Sequence, residues 1–289
     1  MSGADNARTK LPGSASEKGG AIGPKDMVRR ATSERAPQIA ARVGYLISGL
    51  LHLLIAYLVV RIAFGGHADA DQTGALKTIA DTTGGFAALW AVAVALIPLT
   101  LWRLAETVVG LHPAEHRRDP QDLRKVNRLK AFGLAIVYAA VAITAIQFAL
   151  GRRRSSAAQN AGLSARLMQS TQGKVVLVAV GLVIIAIGSY FAFKGASRKF
   201  CNDLTVSPGR AMTALGFCGY VAEGVVLAGA GLLVIVASIR ADPSKATGLD
   251  GAVKTLREAP FGTALILLAG SGFAAYGLYS FALSRYSRM

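Results

Sequence analysis

Six stretches of the chain approach or exceed the roughly 20 apolar residues needed to cross a hydrocarbon core. They run Ala41–Phe64, Phe86–Leu104, Leu129–Leu150, Val175–Phe193, Leu215–Ile239 and Phe261–Leu283. No water is available in lipid for stray amide groups. Each segment must therefore close its own backbone hydrogen bonds, and a helix does so. The expected fold is an all-α integral membrane protein with six transmembrane helices. Composition agrees: 53% of residues are hydrophobic and the mean hydropathy is +0.44. Charged residues are 17%, against roughly 25% in a soluble domain. Yet Lys+Arg is 32 against 16 acids, a net charge of +16. An apolar chain with few, mostly basic charges fits membrane helices joined by basic loops. It fits neither a soluble enzyme nor a nucleic-acid binder, which displays its basic residues on a soluble face.

The placement of charge sets the expected orientation. The segment through Arg42, the loop Arg103–Lys130, the loop Lys194–Arg210 and the C-terminal end together carry 21 Lys/Arg, and the alternate loops carry ten. The excess places both termini in the cytoplasm of a bacterial plasma membrane. The cluster Arg152–Arg154 goes against the bias locally and suits anionic headgroups. Arg61 is near a helix end and snorkels. Residues 1–38 form a basic, polar tail without the apolar core of a cleavable signal peptide. Cys201 and Cys218 are too few for a disulfide framework.

The chain repeats itself three times. Gly74 and Gly85, Gly162 and Gly173, and Gly251 and Gly262 are each eleven residues apart, and the copies are offset by 88 and 89 residues. Copies one and three share the words Gly74–Ile79 and Gly251–Leu256, and copy two is more diverged. An aromatic follows the second glycine by seventeen residues each time: Trp102, Tyr190 and Tyr279. Gly44, Gly133 and Gly219 open the first helix of each copy, two of them followed by Tyr45 and Tyr220. These aromatics are expected to anchor the helices at headgroup depth. Each unit is helix, outer loop, helix, and crosses twice, so the repeats are parallel rather than inverted. The glycine-to-glycine segment is expected to form a short surface helix, ended in copy three by Pro260. The resulting division is a tail (1–38), hairpin repeats at 39–111, 128–200 and 214–285, and cytoplasmic linkers at 112–127 and 201–213.

These features resemble one family. Gly44-Tyr45 and Gly219-Tyr220, the Gly-Ala-aliphatic-Lys-Thr-aliphatic words at Gly74–Ile79 and Gly251–Leu256, and Leu101–Leu104 are similar to the bacterial "domain of unknown function 1206" family. Its members carry three such two-helix units. The resemblance covers about Ala41 to Leu283. It implies an integral membrane protein and no activity. Family members often have a basic residue four after the opening glycine. This chain has Ser48, Val137 and Glu223 there, so no role for such a base is carried over.

Ionisable residues inside spans are functional candidates, because burying one costs about 2.5–3.5 kcal/mol on insertion scales. His52 lies in the first span and Glu223 one turn into the fifth; Arg103 and Glu106 are three apart at the end of the second. His52 reads as a neutral imidazole bonded to a neighbouring helix, or as a proton relay or ligand. Glu223 needs a basic partner, water or a proton, and reads as a structural ion pair or as a functional site. Arg103 and Glu106 share a helix face and pair at the interface. None recurs in the other copies: Val141 and Leu227 stand opposite His52, Phe191 and Ser280 opposite Arg103, Lys194 and Leu283 opposite Glu106. Lys77 and Lys254 do correspond, and read as solvated faces.

Other motifs are discounted. His112-Pro113-Ala114-Glu115-His116 has the letters of an inverted zinc-protease motif, but its short loop has no core and no third ligand. Gln172-Gly173-Lys174 lacks the spacing of a phosphate-binding loop. No catalytic, metal or cofactor residue is expected.

Packing signals are stronger. Gly224, Ala228 and Gly231, and likewise Gly270, Ala274 and Gly277, make smooth stripes of the small-xxx-small kind. They are expected to close the third hairpin against one another, or to dock a partner. Pro98 is expected to kink the second span. The repeat thus preserves packing and anchoring rather than chemistry. The reading is a non-catalytic membrane module: a scaffold, assembly factor or accessory subunit. Its partners are the bilayer and another membrane protein or a second copy, with no nucleic acid. The alternative is a small-solute or ion conduit along the repeat axis.

Overall fold

A computed structural model describes residues 35–109, 121–152 and 155–287. Most of the basic tail, the His112–His116 motif and Arg153–Arg154 lie outside the described residues. Nine α-helices follow in order among the described residues: α1 (Arg35–Ala63), α2 (Gln72–Ala80), α3 (Gly85–Val109), α4 (Gln121–Ala149), α5 (Ser156–Met168), α6 (Thr171–Ala196), α7 (Arg210–Arg240), α8 (Leu249–Glu258) and α9 (Gly262–Tyr286). Helices α1, α3, α4, α6, α7 and α9 are long and apolar enough to span a membrane. The protein is an all-α, six-span, multi-pass membrane protein. Helix α4 begins inside the expected linker at 112–127, and α1 begins before the expected end of the tail at residue 38. Helix α3 runs unbroken through Pro98.

Short helices α2, α5 and α8 fill the three glycine-to-glycine segments, as the repeat implied. They lie at one end of the bundle, the loop-helix face, opposite the end, here the termini face, where α1 begins and α9 ends. At this face Asp71 caps α2 by accepting from the Gly74 amide at 2.8 Å and from the Thr73 hydroxyl at 2.5 Å. Burial holds its carboxyl above the ordinary carboxylate value, against the lowering effect of those two bonds. The second glycine of each repeat has a steric reason. A Cβ on Gly85, Gly173 or Gly262 would strike the carbonyl oxygen of Ile79, Leu167 or Arg257, respectively. The chain turns from short helix into span too tightly for any other residue. Of the first glycines, Gly74 meets the Asp69 carbonyl and Gly251 the Thr247 hydroxyl, whereas Gly162 has open space. In the diverged middle copy, sterics no longer require that glycine.

The spans do not pack as three hairpins. The closest pairs cross repeat boundaries: α3 on α4, α6 on α7, and α9 back on α1. Within repeats, α7 packs well on α9, α1 less on α3, and α4 and α6 barely touch. The small-residue stripes explain the exchange. A Cβ on Gly224 would meet the backbone of Gly188 and Ala192 in α6, and one on Gly231 the Gly181 carbonyl at 2.7 Å. A Cβ on Gly277 would lie 2.9 Å from the Gly49 carbonyl of α1, and one on Gly270 3.2 Å from the Val59 side chain. So the two stripes do not close the third hairpin on itself. One seats α6 and the other seats α1. The α7–α9 contact uses different positions, Gly219 against Tyr276 and Gly272 against Ala222.

The core is aliphatic. Leu51, Ile55, Val59 and Ile62 of α1 meet Leu89, Val92, Leu96 and Leu99 of α3. Ala142, Ala145 and Phe148 of α4 and Ile266, Ala269 and Phe273 of α9 complete it, with Leu76 and Val253 of the short helices above. A second cluster lies near the termini face and corrects an expectation. Tyr220 and Tyr279 are not headgroup anchors; they are 4% and 0% exposed. The connection between α6 and α7 folds beneath the bundle and inserts Phe200 between them. Its ring stacks on Tyr220 at 5.6 Å and meets Tyr279 edge-on at 5.4 Å. The Tyr279 hydroxyl donates to the Phe200 carbonyl at 3.2 Å. Tyr190 is half exposed, as an anchor would be, and Tyr45 and Trp102 are partly buried.

Gly224→Leu should therefore cost about 1–3 kcal/mol, because the contact is backbone on backbone and cannot repack. Gly229→Ala on the same helix should be tolerated, since nothing lies within 4 Å of its Cβ. Melting temperatures of the two variants in detergent check the contrast.

Candidate functional site

Two ionisable residues from different spans meet. His52 of α1 and Glu223 of α7 are 171 residues apart in sequence, with Nε2 3.3 Å from Oε1. The His52 Nδ1 lies 2.7 Å from the Ser48 carbonyl oxygen, one turn earlier on α1. A carbonyl can only accept, so Nδ1 carries a proton and donates. Nε2 then faces the carboxyl group, and their bond requires one proton between them. Either an imidazolium pairs with a carboxylate, or a carboxylic acid donates to a neutral imidazole. Both forms leave the pair net neutral, which removes most of the cost of burying the charge.

Aromatic rings enclose the pair. Tyr276 lies 4.7 Å from the His52 ring and Phe273 lies 6.5 Å away, both from α9. Tyr220 packs edge-on against Tyr276 at 5.2 Å and joins the site to the Phe200 cluster. The second carboxyl oxygen of Glu223, Oε2, is buried without a hydrogen-bond partner. Among the described residues this is the site's one unanswered polar atom on the carboxyl group. It can accept from water, from a small donor or from a proton.

The repeat explains the meeting. Ser48 and Glu223 both stand four residues after an opening glycine, Gly44 and Gly219. Copies one and three thus bring equivalent positions to the same imidazole, while copy two has Val137 there. The sequence flagged both residues but could not pair them, because the pairing depends on α1 and α7 both lying against α9.

Arg103 and Glu106 pair as their spacing implied, with Nη1 2.7 Å from Oε2. Glu106 is buried, and the Arg103 Nε is buried without a hydrogen-bond partner. The sequence did not single out Lys194 as a site residue. It stands at the repeat position of Glu106, bonds Asp203 at 2.6 Å and lies over the Tyr220 ring at 5.1 Å. That bond pins the Phe200-bearing connection to α6. No group of three or more His, Cys, Asp and Glu with metal-binding geometry occurs among the described residues.

Comparison with known proteins agrees with the repeat. The family model described as Domain of Unknown Function (DUF1206) matches three times, at residues 43–110, 129–198 and 218–287. The uncharacterized protein YxxB of Bacillus subtilis (strain 168) is 24% identical over 254 residues, covering 86% of this chain and 90% of that protein. No solved structure matches the chain. Three family matches in register with the three glycine pairs show that the chain belongs to the DUF1206 family.

Proposed function

We propose that this protein is a non-catalytic membrane module, a scaffold, assembly factor or accessory subunit that packs against another membrane protein. The observation that carries this reading is the filled centre of the bundle. Aliphatic side chains from α1, α3, α4, α7 and α9 interlock there. A continuous water path would need polar lining through the same space. The His52–Glu223 pair then serves as a tie between α1 and α7 rather than as a station on a route. Helix α6 supports the same reading: only 17% of its apolar window is buried. It touches α7 through Gly181 and Gly188, and leaves Val176, Val183 and Ile187 for lipid or a neighbour.

Extraction in mild detergent from the native membrane, followed by native mass measurement, tests this. The expected result is a stoichiometric second protein that is retained in Glu223→Gln and His52→Ala. With the proton on Nδ1, a neutral Nε2 accepts from the Gln side-chain amide, so Glu223→Gln should cost about 0.5–1.5 kcal/mol. The rival reading, a small-solute or ion conduit, draws on the unpartnered Glu223 Oε2. A lone protein whose liposome flux vanishes with Glu223→Gln would replace the module by the conduit.

We further propose a bacterial plasma membrane with the termini in the cytoplasm, on the 21-to-ten bias of Lys/Arg between the two sets of loops. In a variant without Cys201 and Cys218, an impermeant maleimide should label Gln169→Cys in intact cells. It should label Ser197→Cys only after permeabilisation. The reverse pattern would invert the topology.

A further inference from the structure

We infer that a cleft at the loop-helix face, between α2 and α8, binds a small anion that carries phosphate and hydroxyl groups together, of the glycerol phosphate class. The cleft has a volume of about 610 Å³ and is lined by Lys77, Lys254 and Arg257, with His67, Asp69 and Glu258. Ile62, at the end of the span α1, also lines it.

Two of the cations lack a counter-ion. Lys254 is engaged, with its ammonium 2.7 Å from Asp250 and 3.8 Å from Asp69. Lys77 and Arg257 have no hydrogen-bond or ion-pair partner among the described residues, yet share one concave space with Lys254. Lys77, Lys254 and Arg257 against the carboxylates of Asp69 and Glu258 leave the lining one positive charge in excess, which favours an anion. A phosphate suits this set, since Arg offers a planar fork and Lys a mobile point charge. Glu258 lines the same cleft with a carboxylate, which only accepts and therefore suits ligand hydroxyls.

The wall is held in place. Asp250 is buried, and its carboxylate accepts from the Ala70 amide at 2.9 Å while holding Lys254. This ties the α1–α2 connection to α8 across the boundary between copies one and three. The repeat supplies an independent argument. Lys77 and Lys254 each stand three residues after the first glycine of their copies, and copy two has Ala165 there. The two copies that keep the lysine are the two that line the cleft. Basic residues on this face also run against the charge bias that would orient the chain, so topology does not account for them.

The same chemistry is offered by an anionic lipid headgroup and by a free phosphate ester, and two probes separate these sources. Soluble glycerol 1-phosphate is titrated calorimetrically into the purified full chain in neutral detergent. Dioctanoyl phosphatidylglycerol, with dioctanoyl phosphatidylcholine as reference, is followed by native mass spectrometry. Binding of the soluble ester assigns a free ligand; preferential binding of phosphatidylglycerol alone assigns a headgroup. In either case Lys77→Gln and Arg257→Gln should each weaken binding by about tenfold. Arg240→Gln, on the same face outside the cleft, should leave it unchanged. All three side chains are exposed, so the variants should fold. The inference is overturned if neither probe binds, if the Lys77→Gln/Arg257→Gln double variant binds as well as the parent, or if Arg240→Gln weakens binding equally.

Discussion

The closeness with which backbones approach at glycine decides how this bundle is assembled. Helices in lipid gain nothing from hydrophobicity when they meet, because the tails are as apolar as the side chains. What they gain is dispersion contact, which rises steeply as the axes close in. Gly181, Gly188, Gly224 and Gly231 let α6 and α7 touch backbone to backbone, and Gly49 and Gly277 do the same for α1 and α9. The remaining features follow from those two seams. Because α9 holds both α1 and α7, His52 reaches Glu223. Because α6 lies on α7, the connection after α6 can turn beneath the bundle and insert Phe200.

Much of the fold was legible because membrane insertion imposes a length and a composition. All six spans and all three short helices stand where hydropathy and the glycine spacing put them. Partner choice was not legible. A lipid-facing leucine and a core leucine read alike, so nothing in hydropathy says which face of α7 meets which neighbour. The small-residue stripes were visible, and they do mark contacts. Sequence adjacency suggested that they close the third hairpin, whereas the shapes fit α6 and α1. Tyr220 and Tyr279 were misread for a related reason. An aromatic near the end of a span resembles an interfacial anchor, and the segment that covers these two lies in a mostly polar loop whose few large apolar residues, Phe200 and Leu204 among them, gave little warning.

The candidate site shows how three repeats can lose symmetry without losing the fold. The second glycine of every repeat is held by sterics, since a Cβ on Gly85, Gly173 or Gly262 would collide with backbone. Positions free to drift have acquired chemistry. Four residues after the opening glycine stand Ser48, Val137 and Glu223; at another repeat position stand Glu106, Lys194 and Leu283. Each polar member found a partner from a different part of the chain or from its own helix. The middle copy has drifted furthest. It keeps neither the steric need at Gly162 nor the lysine of the short helix.

The seam between α1 and α9 also has a bearing on biogenesis. Helix α1, made before the other five spans, finds its closest neighbour in α9, the last of the six. Until α9 is synthesised, α1 waits in the bilayer with Gly49 uncovered and His52 without its carboxylate. The seam joins the two ends of the run of six spans. A nascent chain interrupted before residue 262 would hold five spans and lack that seam. Quality control in the membrane would have an uncovered histidine and a bare glycine seam to recognise.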